Sequence, residues 1–192
     1  MIAIIQYNAG NVLSVSNAVE RLGYECIVTD DPKEIRRAEK VILPGVGAAG
    51  MAMAYLNERK TTDVIQQLDQ PVLGICLGLQ LLCNYSEEDN TTCMGIFNTV
   101  VKKIPPLGPV PHMGWNNLTE TKGDLFKDIG IEDDLYFVHS YAAALCEATI
   151  ATCDYIIPFS AALNSDNFYA TQFHPEKSAD VGAQILKNFL SL

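Results

Sequence analysis

Apolar positions in the first eighty residues follow two periods. Short unbroken runs at Ile2 to Gln6, Cys26 to Thr29, Val41 to Leu43 and Val72 to Ile75 predict buried strands. Between them, Val12, Val15, Val19 and Leu22 recur at helical spacing, with Asn11 as a candidate N-cap and Gly23 as the stop. Asp31-Pro32-x-Glu34 carries the residues of a helix start: a capping carboxylate, a proline in the first turn and an acid at the third position. Met51 to Leu68 predicts a further helix, and the Leu-rich stretch from Leu77 to Asn84 another. Strands alternating with helices imply parallel βαβ units. The fold class expected is therefore α/β: an open, mainly parallel sheet with helices on both faces and ligands beyond the carboxyl ends of the strands.

After about residue 90 the pattern changes. Short β-type segments at Ile96 to Val101, Leu135 to Tyr141, Ala148 to Thr152 and Phe168 to Phe173 are separated by turn-rich pieces such as Pro105-Pro106-Leu107-Gly108-Pro109. Without helices between them, these segments predict a largely antiparallel portion. Val181, Ile185, Leu186, Phe189 and Leu190 then mark an amphipathic closing helix. A length of 192 residues suffices for one buried core, so residues 1–192 are read as a single domain.

Composition narrows the function without choosing it. A formal net charge of -10 argues against nucleic acid or an anionic membrane as partner, because both call for a basic surface. No run approaches the roughly 20 apolar residues of a membrane span, and the start lacks a basic leader, so a cytoplasmic protein with reduced thiols is expected. The six cysteines include no C-x-x-C pair and the three histidines lie far apart. No metal site and no cofactor are expected.

Candidate chemistry sits in three stretches. Gly74-Ile75-Cys76-Leu77-Gly78, between a predicted strand and a predicted helix, is the thiol counterpart of the G-x-S-x-G elbow. There a strained turn exposes a nucleophile at a helix N-terminus, where the dipole favours a thiolate. A buried packing thiol is the alternative. Cys83, seven residues on, could share a helix face with Cys76, and is read as packing. In Thr171-Gln172-Phe173-His174-Pro175-Glu176, Pro175 keeps His174 extended, so residues 174 and 176 project to one face. That arrangement sets a base beside the carboxylate that orients it, although a lone His-Pro-Glu would equally suit a solvated loop. The turn Pro44-Gly45-Val46-Gly47 matches a dinucleotide fingerprint only formally as Gly45-x-Gly47-x-x-Gly50. It follows the third strand rather than the first, and an oxyanion hole suits it better.

Gly-Ile-Cys-Leu-Gly-Leu-Gln at residues 74–80, with the distant His-Pro-Glu, resembles the class I glutamine amidotransferase family, a flavodoxin-like α/β fold. Several segments are more narrowly similar to the glutaminase subunits of imidazole glycerol phosphate synthase. They include Pro44 to Ala48, Pro111-His112-Met113-Gly114-Trp115-Asn116, Phe137 to Tyr141 and Gln172 to Ser178. The resemblance implies that Cys76 attacks the carboxamide of L-glutamine, His174 shuttles the proton and Glu176 orients His174. It further implies oxyanion N–H groups from Gly47 and Leu77. Gln80, one of Glu87 or Glu88 (with Glu88 preferred) and the Ser140-Tyr141 backbone would hold the amino-acid end. Ammonia would pass to a (β/α)₈-barrel cyclase subunit, the partner in a heterodimer of histidine biosynthesis, faced by Asn11, Trp115, Tyr136 and Lys177. As the only tryptophan, Trp115 could also belong to the core, and His112 and His139 are read as structural. The chain departs from the family at Gln6, where an acid is usual, and at Ala49, where Phe is usual. Both departures bear on how tightly a partner gates the site.

Three other readings remain open at this point. A stand-alone cysteine hydrolase would share the elbow but gives no use to Pro111 to Asn116. A nicotinamide-dependent oxidoreductase rests on the glycine turn alone. A catalytically dead binding subunit sits uneasily with an intact Cys76, His174 and Glu176.

Overall fold

The computed structural model of the protein describes residues 1–7 and 11–192. Its first half runs β1 (Ile2–Ile5), α1 (Val12–Arg21), β2 (Cys26–Thr29), α2 (Pro32–Arg37), β3 (Lys40–Leu43), α3 (Ala49–Glu58), α4 (Thr61–Gln66), β4 (Val72–Ile75) and α5 (Leu77–Leu82). Asp31 caps α2 as expected, its carboxylate accepting from the Lys33 N–H at 2.7 Å. The helix expected over Met51 to Leu68 is two helices instead. Lys60 adopts a left-handed φ of 57°, which ends the i→i−4 ladder and turns the chain.

The second half is built of β5 (Cys83–Ser86), β6 (Thr91–Thr92), β7 (Phe97–Lys103), β8 (His112–Asn116), β9 (Glu120–Thr121), β10 (Leu135–His139), β11 (Tyr141–Ala143), β12 (Thr149–Tyr155), β13 (Ile157–Ser165) and β14 (Phe168–Thr171), closed by α6 (Ala179–Leu190). Helix α5 stops at Leu82, two residues short of the expectation, and Cys83 begins a strand rather than sharing a helix face with Cys76. Tertiary pairing ends the helix: the carbonyls of Leu81, Leu82 and Cys83 accept from the N–H groups of Met94, Ile96 and Gly95. Strand β13 has no counterpart in the sequence pattern. Its central residues Phe159 to Leu163 are all buried, so no alternation betrays it.

The main sheet has eight strands in the order β2-β1-β3-β4-β14-β13-β12-β9. Pairings from β2 through to β14 are parallel, and those beyond β14 are antiparallel. Smaller sheets, β11-β7-β5-β6 and β10-β8, flank it. They are antiparallel except for the β5–β7 pair. Side chains alternate across the parallel strands. Ala3, Ile5, Val41 and Leu43 join one apolar cluster with α3 and α4, while Ile2, Ile4 and Ile42 join another with α1 and α6. Helices thus cover both faces. Strands β3, β4 and β14 end side by side, and the chemistry collects at that rim. Among the described residues, no helix is long and apolar enough to cross a membrane.

Candidate active site

Cys76 links β4 directly to α5 with φ 53° and ψ -106°, a conformation that L-residues rarely adopt. Its N–H donates to the Thr171 carbonyl at the end of β14, 2.7 Å away, which ties the turn to the neighbouring strand. The glycines beside it are required by close approach. A Cβ on Gly78 would lie 2.0 Å from the Leu43 carbonyl oxygen, and one on Gly74 would lie 2.9 Å from the Gly78 backbone. The strained strand-to-helix turn expected from the sequence, with its close-packed glycines, is present.

All six cysteines are free thiols. Burial pushes Cys93 up to about 11 and Cys153 up to about 12, and holds Cys83 well above the ordinary range. Burial, followed by Glu20, also raises Cys26. These four are held as protonated thiols.

His174 and Glu176 reach the same rim from β14. His174 is extended, but Pro175–Lys177 form a short 3₁₀ turn rather than the extended segment expected. The two side chains still meet: His174 Nδ1 lies 2.7 Å from Glu176 Oε1, and both side chains are almost fully buried. Because a carboxylate accepts, Nδ1 carries a proton and Nε2 is the reactive nitrogen. Among the described residues, the buried Nε2 has no partner in hydrogen-bonding geometry. Burial works against protonation of the ring, but the Cys76 sulfur and the Glu176 carboxylate outweigh it and raise the His174 pKa. Backbone contacts fix the ring further. The His174 N–H donates to Tyr136 O at 2.9 Å, and Ser178 Oγ donates to His174 O at 2.7 Å while accepting from the Tyr136 N–H.

Asn11 does not cap α1 with its side chain. It adopts a left-handed φ of 82°, and its amide donates to Glu176 Oε1 instead. Both bonds fall on Oε1, and the buried Oε2 has no partner among the described residues.

A cavity of about 340 Å³ opens in front of Cys76, near the lower end of the range for small-molecule sites. Gly47, Leu77, Gln80, Glu88, Ser140 and Tyr141 line it with Cys76 and His174. Glu88 rather than Glu87 faces the cavity. Glu88 accepts from the Ala49 N–H at 2.8 Å and has its pKa raised by burial, whereas Glu87 accepts from the Lys103 N–H on a more exposed side. The two glycines of the 44–47 turn are not equivalent. A Cβ on Gly45 would sit 2.6 Å from Gly78 N and 2.7 Å from the Tyr7 hydroxyl, whereas Gly47, at φ 105°, has nothing among the described residues within 4 Å of that position. Tyr7 donates to the Pro44 carbonyl at 2.5 Å, and its pKa is raised by burial and by the nearby Cys76 sulfur. Nothing in the residue pattern around Tyr7 pointed to this role.

Gln80 is buried, and its amide nitrogen is already committed to Tyr141 O at 2.9 Å and to Gln172 Oε1 at 3.1 Å. His112 and His139 are packing residues with polar contacts, 3.0 Å apart between Nδ1 and Nε2, and His112 stacks between Tyr155 and Phe137. Burial lowers them to about 4 and about 3. Trp115 is no core residue: 55% of it is exposed, beside the 63%-exposed Met113 on the same face of β8. Its ring packs edge-on against Tyr136 at 5.8 Å, with Lys177 Nζ 6.0 Å above the Tyr136 ring.

The chain belongs to the class I glutamine amidotransferase family, whose description "Glutamine amidotransferase class-I" matches residues 3–192. Two solved structures from Thermotoga maritima share the fold. PurLQS has a TM-score of 0.75 at 15% identity, covering 99% of this chain and 97% of that one. A glutamine amidotransferase has a TM-score of 0.65 at 18% identity, covering 99% and 80%. Within the class, the chain groups with the HisH subunits of imidazole glycerol phosphate synthase. It is 54% identical to the Bacteroides fragilis subunit over 100% of this chain and 99% of that one. It is 46% identical to the Yersinia pestis subunit over the same shares. It is therefore an enzyme subunit of the glutamine amidotransferase type.

Proposed function

We propose that the chain hydrolyses L-glutamine to glutamate and ammonia through Cys76, His174 and Glu176, acting as one domain over residues 1–192. The observation that carries this reading is the meeting of the strained Cys76 turn with the buried His174–Glu176 pair at the wall of one cavity. The Cys76 proton passes to His174 Nε2 as sulfur attacks the carboxamide carbon. The oxyanion formed is met by the N–H groups of Gly47 and Leu77, a contact worth about 2.7–4 kcal/mol of barrier per donor in comparable sites. His174 returns the proton to the leaving nitrogen, so ammonia departs and a thioester remains on Cys76. Water, deprotonated by His174, then releases glutamate. Glu176 holds the Nδ1–H tautomer throughout. Glu88, Gln80 and the Ser140-Tyr141 backbone take the amino and carboxylate end of the substrate.

The ammonia is consumed by a (β/α)₈-barrel cyclase subunit in a cytoplasmic heterodimer. The products there are imidazole glycerol phosphate and aminoimidazole carboxamide ribotide, in histidine biosynthesis. The names of the 46–54% identical relatives support a partner subunit. So does the exposed Met113–Trp115 face beside Tyr136 and Lys177, which is apolar enough to seek a cover. That face reaches the chemistry through backbone, since Tyr136 O accepts from the His174 N–H. Asn11, bonded to Glu176, completes the docking set. Gating acts through the free Gly47 end of the oxyanion turn, whereas Gly45 is wedged in place. Gln6 and Ala49 stand where the family usually has an acid and a Phe, and they bear on how tightly the partner gates the site.

A glutamine-like diazo-ketone, with and without the cyclase subunit, tests the reading. An adduct located at Cys76 by mass spectrometry and increased by the partner is expected. Labelling indifferent to the partner, or brisk turnover by the isolated chain, defeats the gating. No adduct at Cys76 under either condition defeats the chemistry.

A further inference from the structure

Gln172 follows directly on β14 and lies two residues before His174; none of it is exposed. Its amide nitrogen stands 3.6 Å from Cys76 Sγ, while its Oε1 accepts from Gln80 Nε2 at 3.1 Å. The orientation of both amides follows from chemistry. Gln80 also reaches Tyr141 O at 2.9 Å, and a backbone carbonyl can only accept. The Gln80 atom at that junction is therefore its NH₂, so Gln172 must present oxygen to it. The remaining end of Gln172, turned to the sulfur, is consequently NH₂. Flipping either amide would set like groups against each other in a buried site.

The anchor is itself fixed from the far side. His139 Nδ1 lies 2.8 Å from the same Tyr141 oxygen and must be protonated to bond it. His139 Nε2 then accepts from His112 Nδ1–H, and His112 Nε2 accepts from the Asn116 amide at 3.3 Å. Every member of this row has one compatible direction, and the row ends on sulfur.

We propose that Gln172 is a positioning residue for the nucleophile: its amide N–H donates to the Cys76 sulfur, favours negative charge there, and holds the sulfur for attack. Among the described residues, the Val138 carbonyl also lies within hydrogen-bonding range of the thiol, at 3.9 Å, and because it can only accept it favours the protonated form. Gln172 therefore opposes Val138, and with His174 it biases the sulfur toward attack. This inference rests on Cys76 being the nucleophile.

The test compares the full chain with Gln172→Glu and Gln172→Leu. Glu keeps the shape and still accepts from Gln80, but it offers the sulfur no donor and adds negative charge. The first measurement is the pH dependence of iodoacetamide alkylation at Cys76, read by peptide mass spectrometry. The second is glutaminase kcat and KM in the complex with the cyclase subunit. Gln172→Leu is expected to move the alkylation midpoint up by about one pH unit and to lower kcat about tenfold, with KM changed less than about twofold. Gln172→Glu moves the midpoint further in the same direction. Folded variants, by Tm and circular dichroism, with an unchanged midpoint overturn the proposal, as does a rise in KM alone. Should Gln172→Leu fail to fold, the Glu variant decides by the same readings. Absence of any pH-dependent adduct at Cys76 in the unsubstituted protein would instead defeat the nucleophile reading.

Discussion

The two ends that meet at the rim, the Cys76 turn after β4 and the His174–Glu176 corner after β14, lie on adjacent parallel strands whose last residues, Ile75 and Thr171, are paired. They are held in different ways. Cys76 is placed by backbone: a positive φ, glycines on both sides and the Leu43 carbonyl against Gly78. His174 is placed by polar partners outside its own backbone turn, namely Asn11 through Glu176, and the Tyr136 backbone both directly and through Ser178. A nucleophile needs a fixed direction of exposure, which a strained turn supplies locally. A base needs its tautomer and charge controlled, which only neighbouring polar groups can do.

The contrast can be broken by substitution, the largest effect coming from the chemistry itself. Cys76→Ala should remove glutamine-dependent ammonia release altogether while leaving Tm nearly unchanged, because the alanine keeps the same backbone. His174→Ala should lower kcat in the complex by about 10²–10⁴-fold. A Cys76→Ala chain with measurable turnover would end the assignment.

Next comes the backbone. Gly78→Ala should destabilise the fold by about 3 kcal/mol or more, since its Cβ would stand 2.0 Å from a carbonyl oxygen that cannot move without breaking β3. Thermal unfolding measures it. A shift in Tm of less than about 2 °C would mean that the turn is looser than its geometry implies.

The side-chain corner should fail differently. Ser178→Ala leaves the Tyr136 N–H without its acceptor, while the His174 carbonyl keeps the Lys177 N–H, at about 1–3 kcal/mol of stability for the one buried unmet group. Turnover should fall with it, because the ring loses a support. If Ser178→Ala lowers Tm but leaves kcat intact, His174 is held by Glu176 alone.

The smallest effect is in acid. His139, lowered to about 3, and His112, lowered to about 4, stay neutral when folded but bind protons near their ordinary value of about 6.5 when unfolded. The unfolded chain then holds more protons between those values, so stability falls as pH drops below about 6.5 and goes on falling toward 4. His139→Gln should show a shallower loss of Tm from pH 7 to 4.5 than the parent. Equal slopes would place the acid sensitivity elsewhere.

Much of the first half was legible in the residues. Strands such as Cys26–Thr29 and Val72–Ile75 carry unbroken apolar runs, and the elbow is confined to five consecutive positions whose small neighbours are visible in the letters. Strand β13 was not legible: buried on both sides through Phe159 to Leu163, it has no polar face to set a period. The break at Lys60 and the early end of α5 were also hidden, since the first needs a left-handed residue that no glycine announces, and the second depends on Met94 to Ile96 reaching back.

Local chemistry in the chain by itself determined the α/β class, the Cys76 turn and the pairing of His174 with Glu176 across one proline, because each depends on residues within a few positions. Tertiary structure alone decided that Glu88 rather than Glu87 faces the cavity, that Asn11 grips Glu176, that Trp115 is exposed, and that Gln172 turns its amide to sulfur. Those outcomes depend on partners up to 165 positions away, whose distance in space the order of residues does not encode.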